Sequence, residues 1–585
     1  MPRSLPLRPA RLLRRPVAML VAALALTTAS ACAQRTPAQP QETVAQGPVR
    51  TDGGVVSSQQ WIASAVGADV LAAGGNAVDA AIATGFALAV THPSAGNIGG
   101  GGFMVIRMPN GQSTTIDFRE TAPLGAHPEM WLDESGEYSS QRHHRSHLAV
   151  GVPGTVAGFD KAHRLYGSAD WDRLVEPSVD LARDGFELSP ALARSLESFV
   201  GRIQYEATID AFSKDGVPYA PGETLRQPDL AATLARIRDE RSHGFYRGET
   251  ARLLAEEMRR GGGIMTEEDL YLYEARERTP VTGAYRGYEI ISMPPPSSGG
   301  VAVVTMLNIL EEFDLVGMGH NSPDYIHHLA EAMRRAFRDR AEYLADVDYV
   351  DVPVHRLTSE EHAAALRSTI RPDRASVSSP SDIETGIESP ETTHYSVVDS
   401  DGMAVSVTYT LEQGYGSGIV VPGAGFLLNN EMGDFNAAPG LTTEAGLIGT
   451  VPNLTRPRQR MLSSMTPSIV ARDGELVAVV GSPGGRTIIN TTVQLILNLV
   501  DFEMSMAEAV AAPRIHHQWL PDRIRIEEDG VPPETVSRLE EMGHTVQMGG
   551  SQGSANSIGI DRETGERIGV PDPRSPDAGA RAAGG

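Results

Sequence analysis

The stretch TTHYSVVDSDGMAVSVTYTL, residues 392 to 411, decides the fold of this sequence. Residues 392 to 398 and 403 to 411 alternate as β-strands do, and residues 399 to 402 supply a turn, so together they predict a β-hairpin. The preceding segment, PDRASVSSPSDIETGIESPE (372 to 391), is rich in Ser, Pro and acids and has no apolar period, which predicts an exposed connector. Thr392 therefore stands where a connector meets a strand.

This position suggests a catalytic role for Thr392 that composition alone does not indicate. A threonine in a strand is by default an ordinary β-branched residue. Its hydroxyl is a weak nucleophile and needs a nearby base. If the connector is cut directly before Thr392, the newly freed α-amine supplies that base on the same residue. The junction thus predicts a nucleophile that is created by self-cleavage.

The flanking sequence predicts both helices and strands. Residues 59 to 90 are Ala-rich and helical in pattern, with Gly74-Gly75-Asn76 as an interruption, which predicts a helix pair. A further helix is expected from Ser322 as N-cap, through Pro323, to about Ala345. The mixture favours a layered α/β (α+β) protein. Further strands are predicted at 425–428, 468–471 and 476–480, and a further helix is predicted from about 487 to 500. The final dozen residues are predicted to form a Gly/Ala/Pro tail.

Residues 1 to 33 predict an export signal, because several arginines precede the apolar run 17 to 26 and a group of small residues. The apolar run is too short to span a bilayer comfortably. Two processing routes stay open: cleavage after Ala31, or lipid attachment to Cys32 that would tether the protein to a membrane. Residues 34 to 54 predict a flexible leader, with the folded part beginning near Val55. We expect a periplasmic or extracellular protein.

Composition excludes several classes of function. Cys32 is the only cysteine, so the exported part has no disulfide, thiolate nucleophile or Cys-based metal site. The net charge of -24 becomes about -29 without the signal arginines, which disfavours nucleic acid and anionic membrane surfaces as partners. The only lysines, Lys161 and Lys214, lack the glycine spacing of a phosphate loop. Kinase and Schiff-base chemistries are therefore disfavoured.

Three other patterns favour structural roles. The glycine run 99 to 102 lacks the strand-to-helix context of a dinucleotide site and instead predicts a close approach of two backbones. The match of 549 to 553 to G-x-S-x-G precedes a strand-like segment, 554 to 560, where that motif needs a helix. His327 and Glu331 lie four apart, but no H-E-x-x-H pattern exists, so we expect no metal. The histidine pairs predicted to be solvated or structural are His143/His144, His327/His328 and His516/His517.

Beyond the leader, most of the chain resembles the γ-glutamyltransferase (γ-glutamyltranspeptidase) family of N-terminal nucleophile hydrolases. The resemblance implies a four-layer αββα sandwich and a precursor that cleaves itself between Glu391 and Thr392. The products would be a large subunit, 55 to 391, and a small subunit, 392 to 585, which form a heterodimer. The motifs that carry the resemblance, in chain order, are NIGGGGFM (97–104), DFRE (117–120), PGTVAGF (153–159), PPPSSGG (294–300), TTHYSVVD (392–399), LLNNEMGDF (427–435), LSSMTPSIV (462–470), GSPGG (481–485), HHQWLPD (516–522) and DPRS (572–575).

The resemblance also implies a site for an amino-acid head group. Arg119 would bind the substrate α-carboxylate, for which a bidentate guanidinium is suited. Ser463 and Ser464 would add hydroxyl donors to that carboxylate, and Asp434 would hold the α-ammonium. The implied substrates are glutathione and other γ-glutamyl compounds.

The remaining implied residues surround the reacting carbonyl. The backbone N–H groups of Gly484 and Gly485 would form the oxyanion hole, and Thr410 would hydrogen-bond Thr392. Thr392 would take the γ-glutamyl group as an ester, which water or an amino acid or dipeptide acceptor then attacks. We expect no cofactor.

Two residues depart from the commoner family pattern. Glu412 stands where many members have Asn, and Glu431 stands where many have Gln, so three carboxylates with Asp434 would surround one ammonium. Like charges at such range raise at least one pKa. Segment 436 to 462 resembles the lid of some members, although Ala445 stands where some have an aromatic gate.

Two other functions stay open at this point. An acylase of the same fold, acting on glutaryl-type side chains of β-lactams, would need no ammonium site. An exported solute-binding lipoprotein could keep the fold without cleavage. The acidic residues disfavour the acylase, and the intact Thr392 and Thr410 disfavour the binding protein.

Overall fold

The computed structural model describes residues 47–382, 392–441 and 443–584. The predicted signal 1 to 33 with Cys32, most of the leader, Glu391 and the last part of the connector lie outside these residues. Residues 49 to 51 form a strand, so the ordered part begins before the predicted Val55. This short strand gains its hydrogen bonds from residues 567 to 569, a partner more than 500 positions away.

The strands form two large antiparallel sheets and some smaller pairings. In chain order the strands are β1 Val49–Thr51, β2 Val55–Ser58, β3 Gly101–Arg107, β4 Ser113–Phe118, β5 Phe186–Glu187, β6 Ser213–Lys214, β7 Val217–Pro218, β8 Thr224–Leu225, β9 Arg276–Arg278, β10 Val281–Tyr285, β11 Tyr288–Ser292, β12 Thr393–Val398, β13 Ala404–Thr410, β14 Ser468–Arg472, β15 Glu475–Val480, β16 Ile515–His516, β17 Ile524–Glu527, β18 Val546–Gly549, β19 Ser557–Ile560, β20 Arg567–Val570 and β21 Gly579–Ala582.

The helices lie mainly on the outer faces of the two large sheets. In chain order they are α1 Trp61–Ala72, α2 Ala77–Thr91, α3 Ser140–Arg145, α4 Thr155–Tyr166, α5 Trp171–Asp184, α6 Pro190–Val200, α7 Glu206–Phe212, α8 Pro228–Glu240, α9 His243–Tyr246, α10 Gly248–Arg260, α11 Glu267–Tyr271, α12 Gly299–Leu310, α13 Leu315–Met318, α14 Pro323–Tyr343, α15 Val354–Leu357, α16 Glu360–Arg367, α17 Thr487–Val500, α18 Met506–Ala511 and α19 Pro533–Glu541. Within the described residues, no helix combines the length and the apolar character needed to cross a bilayer.

The two large sheets stack face to face. One has the strand order β1-β20-β19-β15-β14-β11-β10, and the other β21-β2-β12-β13-β3-β4-β9. Apolar residues such as Val105 of the second sheet and Val479 of the first fill the space between them. A second core lies between the hairpin sheet and helices including α2, and a third lies between the other sheet and helices including α12 and α17. The predicted four-layer αββα sandwich is confirmed.

The predicted hairpin forms β12 and β13 at the centre of its sheet, with Thr393 paired to Tyr409. All residues of both strands are buried, because one face meets helices and the other meets the second sheet. On the helical face, Tyr395 and Tyr409 donate hydrogen bonds to carbonyls of α2. On the other face, the Ser396 hydroxyl donates 2.9 Å to the carbonyl of Asn556. The hairpin is therefore tied to both neighbouring layers.

Several local predictions are confirmed and two are wrong. The helix pair, the helix from Ser322, and the elements near 468, 476 and 487 all form. Residues 425 to 428 make only an isolated bridge, because Gly425, at φ +76°, lies against α8 in a turn. The C-terminal tail is not a plain tail, since β21 pairs with β2 along four residues. Small side chains suit this position, where Trp61 covers Gly579.

The glycine run 99 to 102 brings two backbones together, as predicted. A Cβ at Gly100 would lie 2.0 Å from the carbonyl oxygen of Thr410, and one at Gly102 would lie 2.4 Å from the Cβ of Tyr409. No side chain fits at these distances. The run thus allows β3 to pair closely with the hairpin strand that ends at Thr410.

We expect the change Gly100→Ala to lower the free energy of unfolding by about 2–3 kcal/mol, because the added methyl forces the hairpin end to move. Urea unfolding of the two proteins measures this as a lower midpoint. Gly550→Ala is the matched control, since a Cβ there meets no atom within 4 Å. Equal midpoints for the two variants would contradict the role assigned to the run.

Candidate active site

Thr392 lies directly before β12 and is 7% exposed. The antiparallel register pairs Thr393 with Tyr409, and continuing it by one residue sets Thr392 opposite Thr410. The Thr410 hydroxyl accepts a hydrogen bond from the backbone N–H of Glu412 at 2.9 Å. The Thr410 carbonyl accepts another from the Asn97 side chain at 2.9 Å. The open end of the hairpin is thus held firmly on the Thr410 side.

A small cavity at this end of the hairpin collects nearly all the residues singled out from the sequence. Its enclosed free space is about 20 Å³, room for roughly one water. Gly484 adjoins the cavity through its neighbour Gly485. The lining residues are Arg119, Thr392, Thr410, Glu412, Glu431, Asp434, Ser463, Ser464, Met465, Gly485 and Ile488.

Arg119 is fully buried and is surrounded by acceptors. Its Nη1 donates to Glu431 and its Nη2 donates to Asp434, while Nε donates to the carbonyl of Met461 at 3.3 Å. A third carboxylate, Glu120, lies 3.7 Å from Nη1. Burial lowers the pKa of an arginine, but these carboxylates more than reverse the effect and raise the pKa of Arg119. The guanidinium therefore stays charged.

The pKa values of the neighbouring carboxyl groups are also raised, which favours their neutral forms, because one cation cannot compensate for all of them. Burial raises the pKa of Glu120 to about 8, although Arg119 opposes the shift. Burial also raises the pKa of Glu431 well above its usual range, with Glu120 and Glu412 adding like-charge repulsion. The pKa of Glu412 is raised by burial and then by Asp434. The predicted crowding of carboxylates is present, but burial is the larger cause.

Ser463 and Ser464 are placed by the segment that carries the PPPSSGG motif. The backbone N–H and the hydroxyl of Ser298 both donate to the Ser463 carbonyl at 2.7 Å. The Ser463 N–H donates in turn to the carbonyl of Pro296 at 2.9 Å. Arg340 donates to the Ser464 hydroxyl at 3.2 Å. Both serines therefore face the cavity from a rigid loop.

Gly484 and Gly485 lie just before α17. Their φ angles are +125° and +57°, a region in which residues with a Cβ are strained. The Gly484 carbonyl accepts from the N–H and the hydroxyl of Thr487, which fixes the turn. Backbone N–H groups at the start of a helix favour negative charge. This geometry suits a developing oxyanion.

The segment after Asp434 folds back along the cavity wall. The Asn453 side chain donates 2.7 Å to the Asp434 carbonyl and accepts from the N–H of Leu462 at 2.9 Å. Asn436 and Asn453 are joined by a backbone hydrogen bond. Ala445 is exposed on the outside of this segment, and its role as part of a lid stays a prediction.

Sequence reasoning missed two residues beside this cavity. Glu120 is the last residue of the DFRE motif, and the sequence predicts no role for it. The sequence predicts a solvated or structural role for His144, whose Nδ1 faces the Glu412 carboxyl at 3.7 Å. No periodic pattern signals either residue, because their environment comes from segments distant in the chain.

A second histidine cluster does not fit a metal. Ligand atoms of His327, Glu331 and His544 lie within 4.8 Å of one another. Burial alone would raise the pKa of Glu331, but Arg334 and Arg335 overcome this and lower it to about 2. His327 and His544 are hydrogen-bonded to each other at 2.8 Å. The protein's own cations already neutralise the carboxylate, so this cluster is a structural network.

Two stacked antiparallel sheets between helical layers, with a threonine at the start of a central strand, define the class of N-terminal nucleophile hydrolases. The family model described as gamma-glutamyltranspeptidase matches residues 63–582. The chain therefore belongs to the γ-glutamyltranspeptidase family, as the resemblance predicted.

Three similar proteins illustrate this membership. The glutathione hydrolase proenzyme of Escherichia coli strain K12 is 48% identical over 536 residues, which cover 91% of this chain and 92% of that protein. The γ-glutamyltranspeptidase structure from Helicobacter pylori is 45% identical with a TM-score of 0.53, over 54% of this chain and 91% of that one. The cephalosporin acylase structure from Bacillus halodurans has a TM-score of 0.82 at 26% identity, over 94% of this chain and 99% of that one.

Proposed function

We propose that this protein is a γ-glutamyltransferase and glutathione hydrolase whose precursor cleaves itself between Glu391 and Thr392. One observation carries the proposal: Thr392, at the start of β12, shares a cavity with Arg119 and its partners Glu431 and Asp434. A nucleophile candidate thus lies beside a buried cation and buried carboxylates, the two kinds of charge that an amino-acid head group requires.

The ion pairs in the cavity explain how such a head group would be recognised. A zwitterion carries one carboxylate and one ammonium, so it can replace both halves of an internal ion pair. The α-carboxylate takes the guanidinium of Arg119 and the hydroxyls of Ser463 and Ser464, and the α-ammonium takes Asp434 and Glu431. Each buried charge keeps a partner, which avoids the large cost of an unpaired buried charge.

The head group then directs the γ-carbonyl toward the Thr392 hydroxyl. The freed α-amine of Thr392 takes the hydroxyl proton, and the backbone N–H groups of Gly484 and Gly485 stabilise the charge on the carbonyl oxygen. Collapse of the adduct expels the amine, which takes the proton from the α-amine of Thr392, and leaves an ester on Thr392. Water releases glutamate from that ester, whereas an amino acid or dipeptide forms a new γ-glutamyl compound.

Release of p-nitroaniline from γ-glutamyl-p-nitroanilide tests this function. We expect the purified protein to release the product without any added cofactor and to do so faster when glycylglycine is present as an acceptor. Failure of the purified, cleaved protein to release p-nitroaniline would exclude the proposed function. A lack of stimulation by glycylglycine would restrict the activity to hydrolysis.

The similarity to a cephalosporin acylase makes a glutaryl-type acylase the specific alternative. Glutaryl-p-nitroanilide is the matched test substrate, because it differs from the γ-glutamyl compound only in lacking the ammonium. We expect kcat/KM for the glutaryl compound to be lower by about a hundredfold or more, since Asp434 and Glu431 would be left unpaired. Comparable values for the two anilides would favour the acylase.

The change Glu431→Gln is expected to alter the pH profile of KM more than kcat. The raised pKa of Glu431 means that this group ionises as the pH rises, so KM of the wild type should fall toward alkaline pH. Glutamine cannot ionise, so the ratio of the two KM values should grow with pH, to about three- to tenfold. An unchanged profile, measured from pH 6 to 8.5, would count against this role.

We also propose that the protein works outside the cytoplasm as a heterodimer of its two cleavage products. The arginine-rich start and short apolar run of residues 1 to 33 support export. Mass spectrometry of the mature large subunit distinguishes cleavage after Ala31 from lipid attachment to Cys32. An uncleaved solute-binding protein would give one band on a denaturing gel.

A further inference from the structure

His144, in the short helix α3, lies next to the carboxyl of Glu412. The His144 Nδ1 and the Glu412 Oε1 are 3.7 Å apart. Both atoms are buried, and neither has a hydrogen-bond partner among the residues that the structure describes. A shift of about 1 Å would bring them to hydrogen-bond distance. A proton donor and a proton acceptor thus face each other at the edge of the cavity.

The surroundings hold this pair in place. The Asn430 side-chain N–H groups donate to the second oxygen of Glu412 and, at 3.1 Å, to the backbone carbonyl of His144. A Cβ at Gly433 would lie 2.4 Å from the His144 Nδ1, so glycine there leaves room for the ring. The imidazole of His143 packs against that of His144 at a tilt of 42°, with 4.5 Å between ring centroids. These contacts therefore restrict movements of the two side chains other than their approach to each other.

Burial and the neighbouring charges disfavour the charged forms of both groups. Burial lowers the pKa of His144, and Arg145 lowers it further, while Asp434 raises it. For Glu412, burial and Asp434 raise the pKa, and Arg119 opposes them. The charged, titratable and amide groups that face the pair from all packed elements are Arg119, Tyr138, His143, Arg145, Gln413, Asn430, Glu431 and Asp434.

We propose that His144 is a positioning residue that takes the proton of Glu412 when the α-ammonium of the substrate binds. This inference rests on the proposed γ-glutamyl activity. The O–H bond at Glu412 Oε1 breaks as the lone pair of His144 Nδ1 forms an N–H bond, and Nε2 keeps its own proton. One proton moves and the net charge of the pair is unchanged.

The proposed proton transfer explains how Glu412 can lie among several other carboxylates without adding to their negative charge. Arg119 is in contact with three carboxylates at once, those of Glu120, Glu431 and Asp434. An ionised Glu412 would add to this negative charge in the empty site, but it is the form that best binds an ammonium. Because the carboxyl is buried, a nearby base spares it from exchanging a proton with solvent. His144 lets Glu412 present a carboxylate only when a cation has arrived.

The pH dependence of KM for γ-glutamyl-p-nitroanilide tests the role of His144. In the variant H144Q, Glu412 has no base to take its proton. Measured from pH 6.5 to 8.5, KM should be about tenfold above wild type at the lowest pH, and the ratio should fall as the pH rises, because more of Glu412 then loses its proton to solvent. We expect kcat to change by less than about threefold. His355→Gln, on the exposed surface, is the matched control and should give a ratio near one at every pH.

The variant E412Q supplies a second test that does not depend on H144Q folding. If His144 accepts the proton, wild-type Glu412 presents a carboxylate to bound substrate throughout this range. KM of E412Q relative to wild type should then be raised by a constant factor of about ten. Adding H144Q to E412Q should change the pH profile no further.

Each alternative result is distinct. A ratio for E412Q that grows with pH would show that Glu412 loses its proton to solvent in the wild type and would overturn the proposal. A constant ratio for H144Q would overturn it as well. A wild type that hydrolyses no γ-glutamyl-p-nitroanilide overturns both this inference and the proposed function, whereas an active wild type with either profile above removes only the role of His144.

Discussion

Thr392→Ala is expected to remain a single chain on a denaturing gel and to lose activity toward γ-glutamyl-p-nitroanilide by about 10⁴-fold or more. The same hydroxyl is needed twice. It must attack the peptide bond that precedes it, and it must later attack the γ-carbonyl. A methyl group can do neither. The wild type should give two fragments, and N-terminal sequencing of the smaller one should begin at Thr392.

Thr392→Ser is the matched control, since it keeps the hydroxyl and removes only the methyl group. We expect this variant to cleave itself, more slowly, and to retain activity within roughly tenfold of wild type. The proposal fails if Thr392→Ala still yields two fragments, or if its uncleaved chain keeps the activity. Either result would place the nucleophile on another residue.

Arg119→Lys should cause the second largest loss, a fall in kcat/KM of about 10²- to 10⁴-fold that comes mainly from KM. Lysine keeps the positive charge but cannot donate to Glu431 and Asp434 with two parallel N–H groups. The substrate carboxylate would then meet a point charge in the wrong place. Steady-state kinetics with γ-glutamyl-p-nitroanilide measure this effect.

Arg514→Lys is the control that separates binding from stability. Arg514 is also buried and pairs with the carboxylate of Asp572 at 2.5 Å, but it lies outside the cavity. Both changes should lower the unfolding temperature, because each weakens a buried ion pair. Only Arg119→Lys should raise KM strongly. Similar kinetic losses in the two variants would mean that Arg119 acts through stability alone.

The charge arrangement around Arg119 also holds this side chain in position. Glu431 and Asp434 occupy the donors that a substrate carboxylate would use, and they hold the guanidinium in place until the substrate arrives. A group held in its working geometry loses little entropy on binding. The cost is that these carboxylates compete with the substrate carboxylate for the guanidinium until the substrate ammonium pairs with them.

Much of the local structure could be predicted from the sequence, because its causes are local. Ser322 caps α14 through a hydrogen bond to the N–H of Tyr325, as the Ser-Pro pair indicates. The alternating pattern of residues 392 to 398 and 403 to 411, with a turn at 399 to 402, predicts the hairpin that places Thr392 next to Thr410. The family motifs also indicated Arg119 and Asp434 as members of one site, although these residues are 315 positions apart.

Three features were decided only by the tertiary structure. Strands β1 and β21 are stabilised by distant partners, so a segment that looks like a leader or a tail becomes part of a sheet. The pKa values of Glu120 and Glu412 depend on burial, which no local pattern records. His144 in α3 and Glu412 just after β13 come within 3.7 Å of each other only because the chain packs distant segments together. The sequence by itself determined the fold, the family and the threonine that we propose as the nucleophile, whereas desolvation and long-range packing decided the electrostatics of the proposed binding site.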